Sequence, residues 1–411
     1  MTTARVVTVG ADFAGGAEDA AGRDVARAVV AEGLPVAARA VVDEDEGALE
    51  ALLRAPDASV RLTVVLARPG GSAGEVVRRV LARIAGARLV LSDRLLDLLE
   101  ADFARAGRAM PRRQERLALL PQGAQIWAAP TGEPGWAVDT PHGLVAVLPL
   151  GSSHLGHLID AHVRPAAREA SGPGGSVVAR TLKTVGLPAA DCEERLAAWL
   201  GKEGDVQVAC VPADGEIWVR LLGRSAARPL AEAAVREAET AIRAALGTDC
   251  YGADDDTLEM VVGRALVARG LRVSVAESFT GGLLASRLSR TPGASAYFDR
   301  AVVAYSNQAK ADLLGVPEAL LRAHGAVSAP VTARMAATVR LADPVTCGLG
   351  VTGVAGPGGG SPDKPVGTAF VAAVTPSGAE VRRLHLSGGR DAIRWQACQA
   401  ALDLLRRMLL A

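Results

Sequence analysis

The turn that follows residues 272–276 contains the residues whose types and spacing most clearly suggest catalysis or ligand binding. An apolar β-strand pattern precedes the turn and leucines at helical spacing follow it, which predicts a strand, a turn containing Ser278, and a helix. In open α/β sheets, ligands bind beyond the carboxyl ends of strands, and the N–H groups of a following helix favour a phosphate or an oxyanion. Ser278 is therefore a candidate nucleophile, with Thr280, Gly281 and Gly282 as candidate binding residues. Helix capping with close packing is the structural alternative for these three.

Lys310 is the candidate base for that serine. No Asp/His pair stands at a spacing typical of a catalytic triad, and the nearest histidine, His324, fits a turn. A lysine that loses its charge on burial can activate a serine instead. The chain is rich in arginine and has four lysines, so the use of lysine here indicates that deprotonation matters. A solvated residue at the start of a predicted helix, 310–314, is the competing interpretation.

Two further predicted strand ends contribute polar residues and glycines. Tyr305 and Asn307 follow an apolar run, and for the tyrosine a proton relay and a half-buried aromatic with a bonded hydroxyl are equally supported. In the loop 353–360, six of the eight residues are Gly or Pro, which is typical of backbone that passes close to a ligand. We predict substrate contacts from this loop by Gly353, Gly356 and Gly358.

The elements that position these residues indicate a multidomain α/β protein. Strands alternate with helices in the first segment, which predicts a doubly wound α/β domain. Its glycine-containing turns lack the dinucleotide fingerprint and the P-loop lysine, so turn formation is their favoured role. A linker at 171–175 leads to a small α+β unit, and a polar junction at 251–256 leads to a second α/β segment. We place the domains at 1–170, 176–250 and 254–411.

Composition limits the partners of this chain. Its 411 residues include 45 Lys and Arg against 45 Asp and Glu, so no net field attracts nucleic acid or an anionic membrane. The middle unit has a G-x-x-G sequence at 201–204, but its few aromatic residues favour a spacer or dimerising role over RNA binding. The five cysteines stand apart in sequence, which predicts neither a zinc site nor disulfides. With no signal-peptide pattern and no apolar run of membrane length, we expect a cytoplasmic protein without a membrane partner.

Several long motifs follow one another between residues 254 and 411. They are Ala276-Glu-Ser-Phe-Thr-Gly-Gly282, Val303-Ala-Tyr-Ser-Asn-Gln-Ala-Lys310, Leu314-Gly-Val316, His324-Gly-Ala-Val-Ser328, Thr352-Gly-Val-Ala-Gly-Pro-Gly-Gly-Gly360 and Lys364-Pro-Val-Gly-Thr368. In these motifs the segment resembles the C-terminal domain of the competence/damage-inducible protein CinA family. The whole chain resembles full-length members, whose middle domain is KH-type and whose first domain is similar to molybdopterin-binding proteins.

This resemblance implies a nicotinamide-nucleotide amidase, which hydrolyses nicotinamide mononucleotide to nicotinate mononucleotide and ammonia. The family's catalytic serine, tyrosine and lysine fall on Ser278, Tyr305 and Lys310, and the resemblance suggests a homodimer. We expect Lys310, assisted by Tyr305, to take the serine proton, with no metal or cofactor. Asn307 and the glycine loop would hold the small nucleotide, with Arg390 as a phosphate partner.

Two departures from the family pattern shape the remaining expectations. Phe279 stands where the family usually has Cys, so we expect a pocket of different shape beside the nucleophile. In the first domain the family's metal-binding loop is replaced by residues 68–75, without paired aspartates, and the expected asparagines are missing between Gly10 and Asp24. We predict that this domain keeps its fold and has lost its metal chemistry. The alternatives are a pyrophosphatase of ADP-ribose in the first domain, or a non-catalytic scaffold in DNA uptake or repair.

Overall fold

The computed structural model describes residues 2–55, 57–172, 176–213, 215–340 and 345–410. Contacts divide the chain into two units, Met1–Ala179 with Leu222–Arg236 and Arg180–Leu221 with Glu237–Ala411. Residues 173–175 of the predicted linker lie outside the described residues. Among helices formed by the described residues, none is long and apolar enough to cross a membrane.

The first unit is built around a six-stranded sheet with helices on both faces. Along the chain come β1 (Thr3–Val9), α1 (Ala11–Ala14), α2 (Ala20–Ala31), β2 (Val36–Val42), α3 (Glu46–Arg54), β3 (Val60–Ala67), α4 (Gly71–Ala85), β4 (Leu89–Leu91), α5 (Asp93–Arg105), β5 (Leu119–Pro121), β6 (Gln125–Trp127), β7 (Gly135–Thr140), β8 (Gly143–Pro149), α6 (Leu155–Leu158) and α7 (Arg164–Ser171). The strand order is β2-β1-β3-β8-β7-β6. Strands β2, β1, β3 and β8 run parallel, and β7 pairs antiparallel with both of its neighbours, β8 and β6.

Apolar residues on both faces of the central strands explain this layering. Val7 and Val65 pack in one core with side chains of α3, α4 and α5. Val6 and Val64, the next residues back along each strand, pack in a second core with α2 and α7. Because successive side chains of a strand point to opposite faces, continuous apolar runs require helices on both sides. The prediction of a doubly wound α/β domain is confirmed.

An ion pair joins the turns that follow β1 and β3. The guanidinium of Arg68 donates to both carboxylate oxygens of Asp12, at 3.0 and 2.7 Å. The same guanidinium lies 5.7 Å from the centre of the Phe13 ring. These turns lie at the carboxyl ends of neighbouring parallel strands, the position where open α/β sheets bind ligands. In this chain the two turns bind each other there.

The middle segment is a four-stranded sheet with two helices. It consists of β9 (Ser176–Val185), α8 (Ala189–Leu196), β10 (Val206–Ala213), β11 (Glu216–Ser225), α9 (Arg228–Leu246) and β12 (Cys250–Ala253), with the strand order β10-β11-β9-β12. The prediction of a polar junction at 251–256 is wrong at its start, because β12 pairs antiparallel with β9. Although the cysteines stand apart in sequence, two of them meet in the fold, where the sulfurs of Cys192 and Cys210 are 3.7 Å apart.

The C-terminal segment is a five-stranded sheet between two helical layers. Its elements are α10 (Leu258–Ala268), β13 (Arg272–Glu277), α11 (Leu283–Arg290), β14 (Phe298–Val303), α12 (Asn307–Leu314), α13 (Glu318–His324), α14 (Ala329–Val339), β15 (Thr346–Gly353), β16 (Thr368–Thr375), β17 (Gly378–His385) and α15 (Arg390–Leu410). The strand order is β14-β13-β15-β16-β17, in which β14, β13 and β15 run parallel. One face packs against α10, α11 and α15, and the other against α12, α13 and α14.

Glycines in β15 let one of these helices lie unusually close to the sheet. A Cβ atom at Gly348 would stand 1.9 Å from the carbonyl oxygen of Ala336 on α14. At Gly350 it would stand 2.6 Å from the carbonyl oxygen of Thr332. Any side chain at either position would push α14 away from the sheet, so both positions require glycine.

Candidate active site

Ser278 and the segment that carries Lys310 meet at one edge of the C-terminal sheet. Strands β13 and β14 are parallel neighbours, and Glu277 pairs with Val303 at their carboxyl ends. The residues that follow these two strands therefore emerge side by side. Ser278 comes directly after β13, where its N–H donates to the carbonyl of Val351 at 3.1 Å. Its side chain is largely buried, at 9% exposure.

Lys310 reaches Ser278 from the end of the first turn of α12. Its Nζ lies 3.0 Å from Ser278 Oγ, 2.9 Å from the carbonyl oxygen of Ala304 and 3.1 Å from that of Tyr305. The side chain is 1% exposed. Burial of the ammonium lowers the pKa of Lys310 to about 8. A solvated helix residue, the competing interpretation, does not fit this burial.

The three contacts of Nζ suit a neutral amine as well as an ammonium. The charged form donates one N–H to each of the three oxygens. A neutral amine has two N–H groups, which match the carbonyls of Ala304 and Tyr305, and one lone pair. That lone pair can accept the hydroxyl proton of Ser278 without any movement of the side chain. The geometry is therefore suited to a lysine acting as general base toward a serine.

Glu277 was not among the predicted residues, yet its buried carboxylate caps the helix that follows the nucleophile turn (residues 278–282, named for the candidate nucleophile Ser278). Its oxygens accept hydrogen bonds from the N–H groups of Gly282, Leu284 and Ala285, at 3.0, 3.1 and 2.8 Å. An acid just before a helix start favours the helix N-terminus, which is the signal that could have identified it. The side chain is fully buried.

The hydrogen bonds within this turn determine which of its donors remain free to bind a substrate. The N–H of Gly282 is bonded to Glu277, and the N–H of Gly281 donates to the carbonyl of Ser278 at 3.1 Å. Both glycines have positive φ, +61° and +93°, so the turn requires them for its backbone shape. Thr280 is fully buried, and its Oγ1 has no hydrogen-bond partner among the described residues. Of the three predicted residues of this turn, Thr280 is the one with an unengaged donor.

Phe279 is turned into the hydrophobic core. It is 5% exposed and belongs to the core cluster that also contains Val351 and Ala369. A Cβ atom at Gly353 would stand 2.8 Å from the Phe279 ring and 2.9 Å from Ala369. Gly353 is therefore needed to accommodate this ring. Phe279 thus influences the site through its packing against the end of β15.

The other glycines of the loop 353–360 differ in their surroundings. Gly356 has a φ of +76°, and a Cβ there would stand 2.6 Å from the side chain of Val366. Its carbonyl accepts a hydrogen bond from Arg390 at 2.9 Å. Gly358 is exposed, and no atom lies within 4 Å of where its Cβ would be. Gly356 thus shapes the loop, whereas Gly358 leaves open space beside it.

Tyr305, Asn307 and Arg390 lie on the exposed side of this edge. Tyr305 is 59% exposed, and its hydroxyl accepts a hydrogen bond from Arg390 at 2.9 Å. Arg390 begins α15 and bonds the glycine loop with its other terminal nitrogen. Asn307 is exposed as the first residue of α12. The tyrosine is thus more exposed than either interpretation of the sequence implied.

A second arginine of α15, Arg394, was also missed. Its Nη2 donates to the carbonyl of Thr280 at 2.7 Å, and its Nη1 pairs with Asp391 at 3.0 Å. The first turns of α15 thus contact both the nucleophile turn and, through Arg390, the glycine loop. An arginine near the start of a helix carries no local signal for a contact 114 residues away, which explains the omission.

Comparison with known proteins gives consistent matches over most of the chain. The profile described as the CinA C-terminal domain matches residues 255–409, and that of the damage-inducible protein CinA KH domain matches residues 179–252. A competence-damage inducible protein of Symbiobacterium thermophilum is 36% identical over 391 residues, 92% of each chain. A CinA-like protein of Frankia casuarinae is 38% identical over 386 residues, which is 92% of this chain and 89% of that one. The crystal structure of a competence/damage inducible protein from Agrobacterium tumefaciens shares 36% identity over 38% of this chain and 98% of its own, with a TM-score of 0.36.

Proposed function

The chain belongs to the CinA family, and from this membership we propose that its C-terminal domain is a nicotinamide-nucleotide amidase. The reaction is hydrolysis of the carboxamide of nicotinamide mononucleotide to nicotinate mononucleotide and ammonia. The observation that carries the proposal is the contact of the buried Lys310 amine with Ser278 Oγ at 3.0 Å. A serine paired with a lysine of lowered pKa is a known arrangement for acyl transfer.

The first half of the reaction forms an ester on the serine. Neutral Lys310 accepts the hydroxyl proton of Ser278 while Oγ attacks the carboxamide carbon. The carbonyl oxygen becomes an oxyanion, for which the unengaged hydroxyl of Thr280 is the proposed donor. The protonated lysine then gives its proton to the departing nitrogen, the C–N bond breaks and ammonia leaves.

The second half returns the enzyme to its starting state. Water attacks the ester carbon while Lys310 accepts one of its protons. The bond to Oγ breaks, Ser278 recovers its proton from the lysine, and nicotinate mononucleotide is released. Each half-reaction begins and ends with a neutral amine, so no net proton accumulates on Lys310.

We assign nucleotide binding to the exposed side of the site. Arg390 is exposed and positively charged, and guanidinium groups bind phosphate through paired N–H donors. Its hydrogen bond to Tyr305 would hold the tyrosine at the entrance. We assign further nucleotide contacts to Asn307 and to the loop around Gly358. Tyr305 is proposed to assist binding and proton transfer from this side. The proposal includes a homodimer, which light scattering on the purified protein would test.

The decisive experiment is release of ammonia from nicotinamide mononucleotide by purified full-length protein and by Ser278→Ala. We expect the variant to lose at least about a thousandfold in kcat, because the nucleophile is absent. Ser289→Ala is the matched control, since Ser289 is an exposed serine on α11 whose hydroxyl donates to the local carbonyl of Ser286. Wild-type deamidation by Ser278→Ala would refute the proposal. Parallel assays with ADP-ribose and divalent metal ions test the pyrophosphatase alternative.

A further inference from the structure

Two cysteines of the middle segment form a close pair that the proposed reaction does not use. Cys192 lies on α8, and Cys210 lies on the edge strand β10. Their sulfur atoms are 3.7 Å apart, within the range of a thiol hydrogen bond. Cys192 is fully buried, whereas Cys210 is partly exposed. Cys210 is thus the more exposed residue of the pair, and the sulfur of Cys192 lies next to its own.

We propose that Cys192 and Cys210 are a modification site that closes to an intramolecular disulfide on reaction with a low-molecular-weight disulfide. A disulfide bond is about 2.05 Å long, so the sulfurs need to approach by roughly 1.7 Å. Side-chain rotation supplies movements of that size, and α8 already packs against β10. The bond can therefore form without any rearrangement of α8 or β10.

In the proposed reaction Cys210, the more exposed residue, reacts first. The thiolate of Cys210 attacks one sulfur of oxidised glutathione, which breaks that disulfide, forms a mixed disulfide on Cys210 and releases one glutathione thiolate. Cys192, after losing its proton to solvent, then attacks the Cys210 sulfur and releases the second glutathione. Two cysteine thiols are oxidised and one glutathione disulfide is reduced to two thiols, so electrons balance.

Burial slows the reaction without preventing it. It raises the pKa of the Cys192 thiol to about 12 and also raises that of Cys210. Because the thiolate is the attacking species, only a small fraction of either group reacts at neutral pH. The pair is thus suited to prolonged oxidative exposure, and a thiol reductant reverses the bond.

The closed form should be more stable than the dithiol. The bond would link residues 18 positions apart, which removes loop freedom from the unfolded chain. We expect the unfolding midpoint of the oxidised protein to rise by several degrees. In the described hydrogen bonds, neither cysteine contacts the candidate active site. The unfolding midpoint and the disulfide itself can both be measured without an amidase assay.

The test is incubation of the full-length protein with millimolar oxidised glutathione, followed by digestion and mass spectrometry. We expect the peptides containing Cys192 and Cys210 to be linked, with the loss of two hydrogens, and to separate on reduction. Cys347 and Cys398 are internal controls, because both are buried and should stay reduced. Cys192→Ser should stop at a glutathione adduct on Cys210, without the rise in unfolding midpoint. A stable adduct on Cys210 in the wild-type protein, or no reaction at all, would overturn the proposal.

Discussion

Lys310 lies where burial disfavours the charged form of its amine, and this lowers its pKa. Its amine is buried among a serine oxygen and two backbone carbonyls. Carbonyl oxygens favour a donor but offer no compensating negative charge, so desolvation governs the titration and the pKa falls to about 8. The amine is therefore partly neutral near physiological pH, whereas the amine of an exposed lysine is almost fully protonated.

We expect kcat/KM for deamidation to rise with pH and to level off above about pH 8. Below the pKa of about 8 for Lys310, the neutral fraction of a single base falls about tenfold per pH unit. A pH–rate profile from 6 to 9.5 measures this limb. Lys310→Arg should remove the limb together with most of the activity, since a guanidinium stays protonated, whereas Lys202→Arg on an exposed loop should retain both. A flat wild-type profile would contradict the assignment of Lys310 as base.

Thr280 gives a residue-scale prediction in which activity and stability separate. Its hydroxyl is buried without a partner among the residues that the structure describes, so replacement by a methyl group should leave the free energy of unfolding unchanged or slightly higher. If this hydroxyl stabilises the oxyanion, Thr280→Val should lower kcat by about 100-fold with little change in KM. Kinetics and urea denaturation of the same variant measure both. Thr280→Ser should keep most of the activity, and an equally active Thr280→Val would exclude the hydroxyl as donor.

At the scale of elements, the unit β13, nucleophile turn and α11 depends on the carboxylate of Glu277. It satisfies three N–H groups at the start of a helix whose entry passes through two left-handed glycines. A helix of eight residues has little stability of its own, so its position relies on such contacts. The cap therefore fixes the path by which the chain leaves Ser278.

We expect Glu277→Gln to lower the free energy of unfolding by about 1–3 kcal/mol. A glutamine retains one acceptor oxygen, but its NH₂ group replaces the other. That NH₂ group would face backbone N–H groups that had donated to the carboxylate. Urea denaturation followed by fluorescence measures the change. Glu318→Gln is the matched control, because Glu318 is exposed on α13 and its ion pair with Arg322 should contribute less than about 0.5 kcal/mol. Equal stability of the two variants would mean that the cap is not needed.

The elements near the site were largely predictable, because they follow local patterns. A short apolar β-branched run predicts β13, leucines at helical spacing predict α11, and polar residues at strand ends predict their convergence. Strands β13 and β14 do lie side by side. Helix α12 begins at Asn307, three residues before the predicted start, since Ser306 Oγ accepts from the N–H of Ala309 and caps it. The direction of the Phe279 ring could not be predicted, because it depends on space left by Gly353 on another strand.

At the scale of the whole molecule, the second unit is joined by a buried polar network. The amide of Gln399 on α15 accepts from Arg287 on α11 and donates to Glu216 on β11. Arg287 also pairs with Glu259 at 2.8 Å and lies 4.1 Å from the centre of the Trp395 ring. Sequence patterns did not indicate this network, because its members are as far as 183 residues apart. Arg287, Glu259 and Gln399 are almost completely buried, and their contacts with one another offset the cost of burying polar groups.

We expect Gln399→Leu to weaken β11 and α11 together, although they belong to the middle and C-terminal segments. The leucine removes one partner each from Arg287 and Glu216, at a cost of about 1–3 kcal/mol in the free energy of unfolding. Hydrogen–deuterium exchange read by mass spectrometry should show reduced protection in both elements. Gln207→Leu on the exposed face of β10 is the control and should change only its own strand. Loss of protection confined to α15 would show that the network does not link the segments.

The hydrogen bond from Arg394 to the carbonyl of Thr280 also has a consequence for synthesis of the chain. It joins residues 114 positions apart, so the nucleophile turn is made long before its support on α15 exists. At about 5–20 residues per second, the ribosome needs roughly 6–23 s to cover that distance. During this interval β13 and β14 can pair, but the turn lacks its anchor and the nascent chain has no completed site. The nucleophile turn therefore gains this support only after α15 has folded against it.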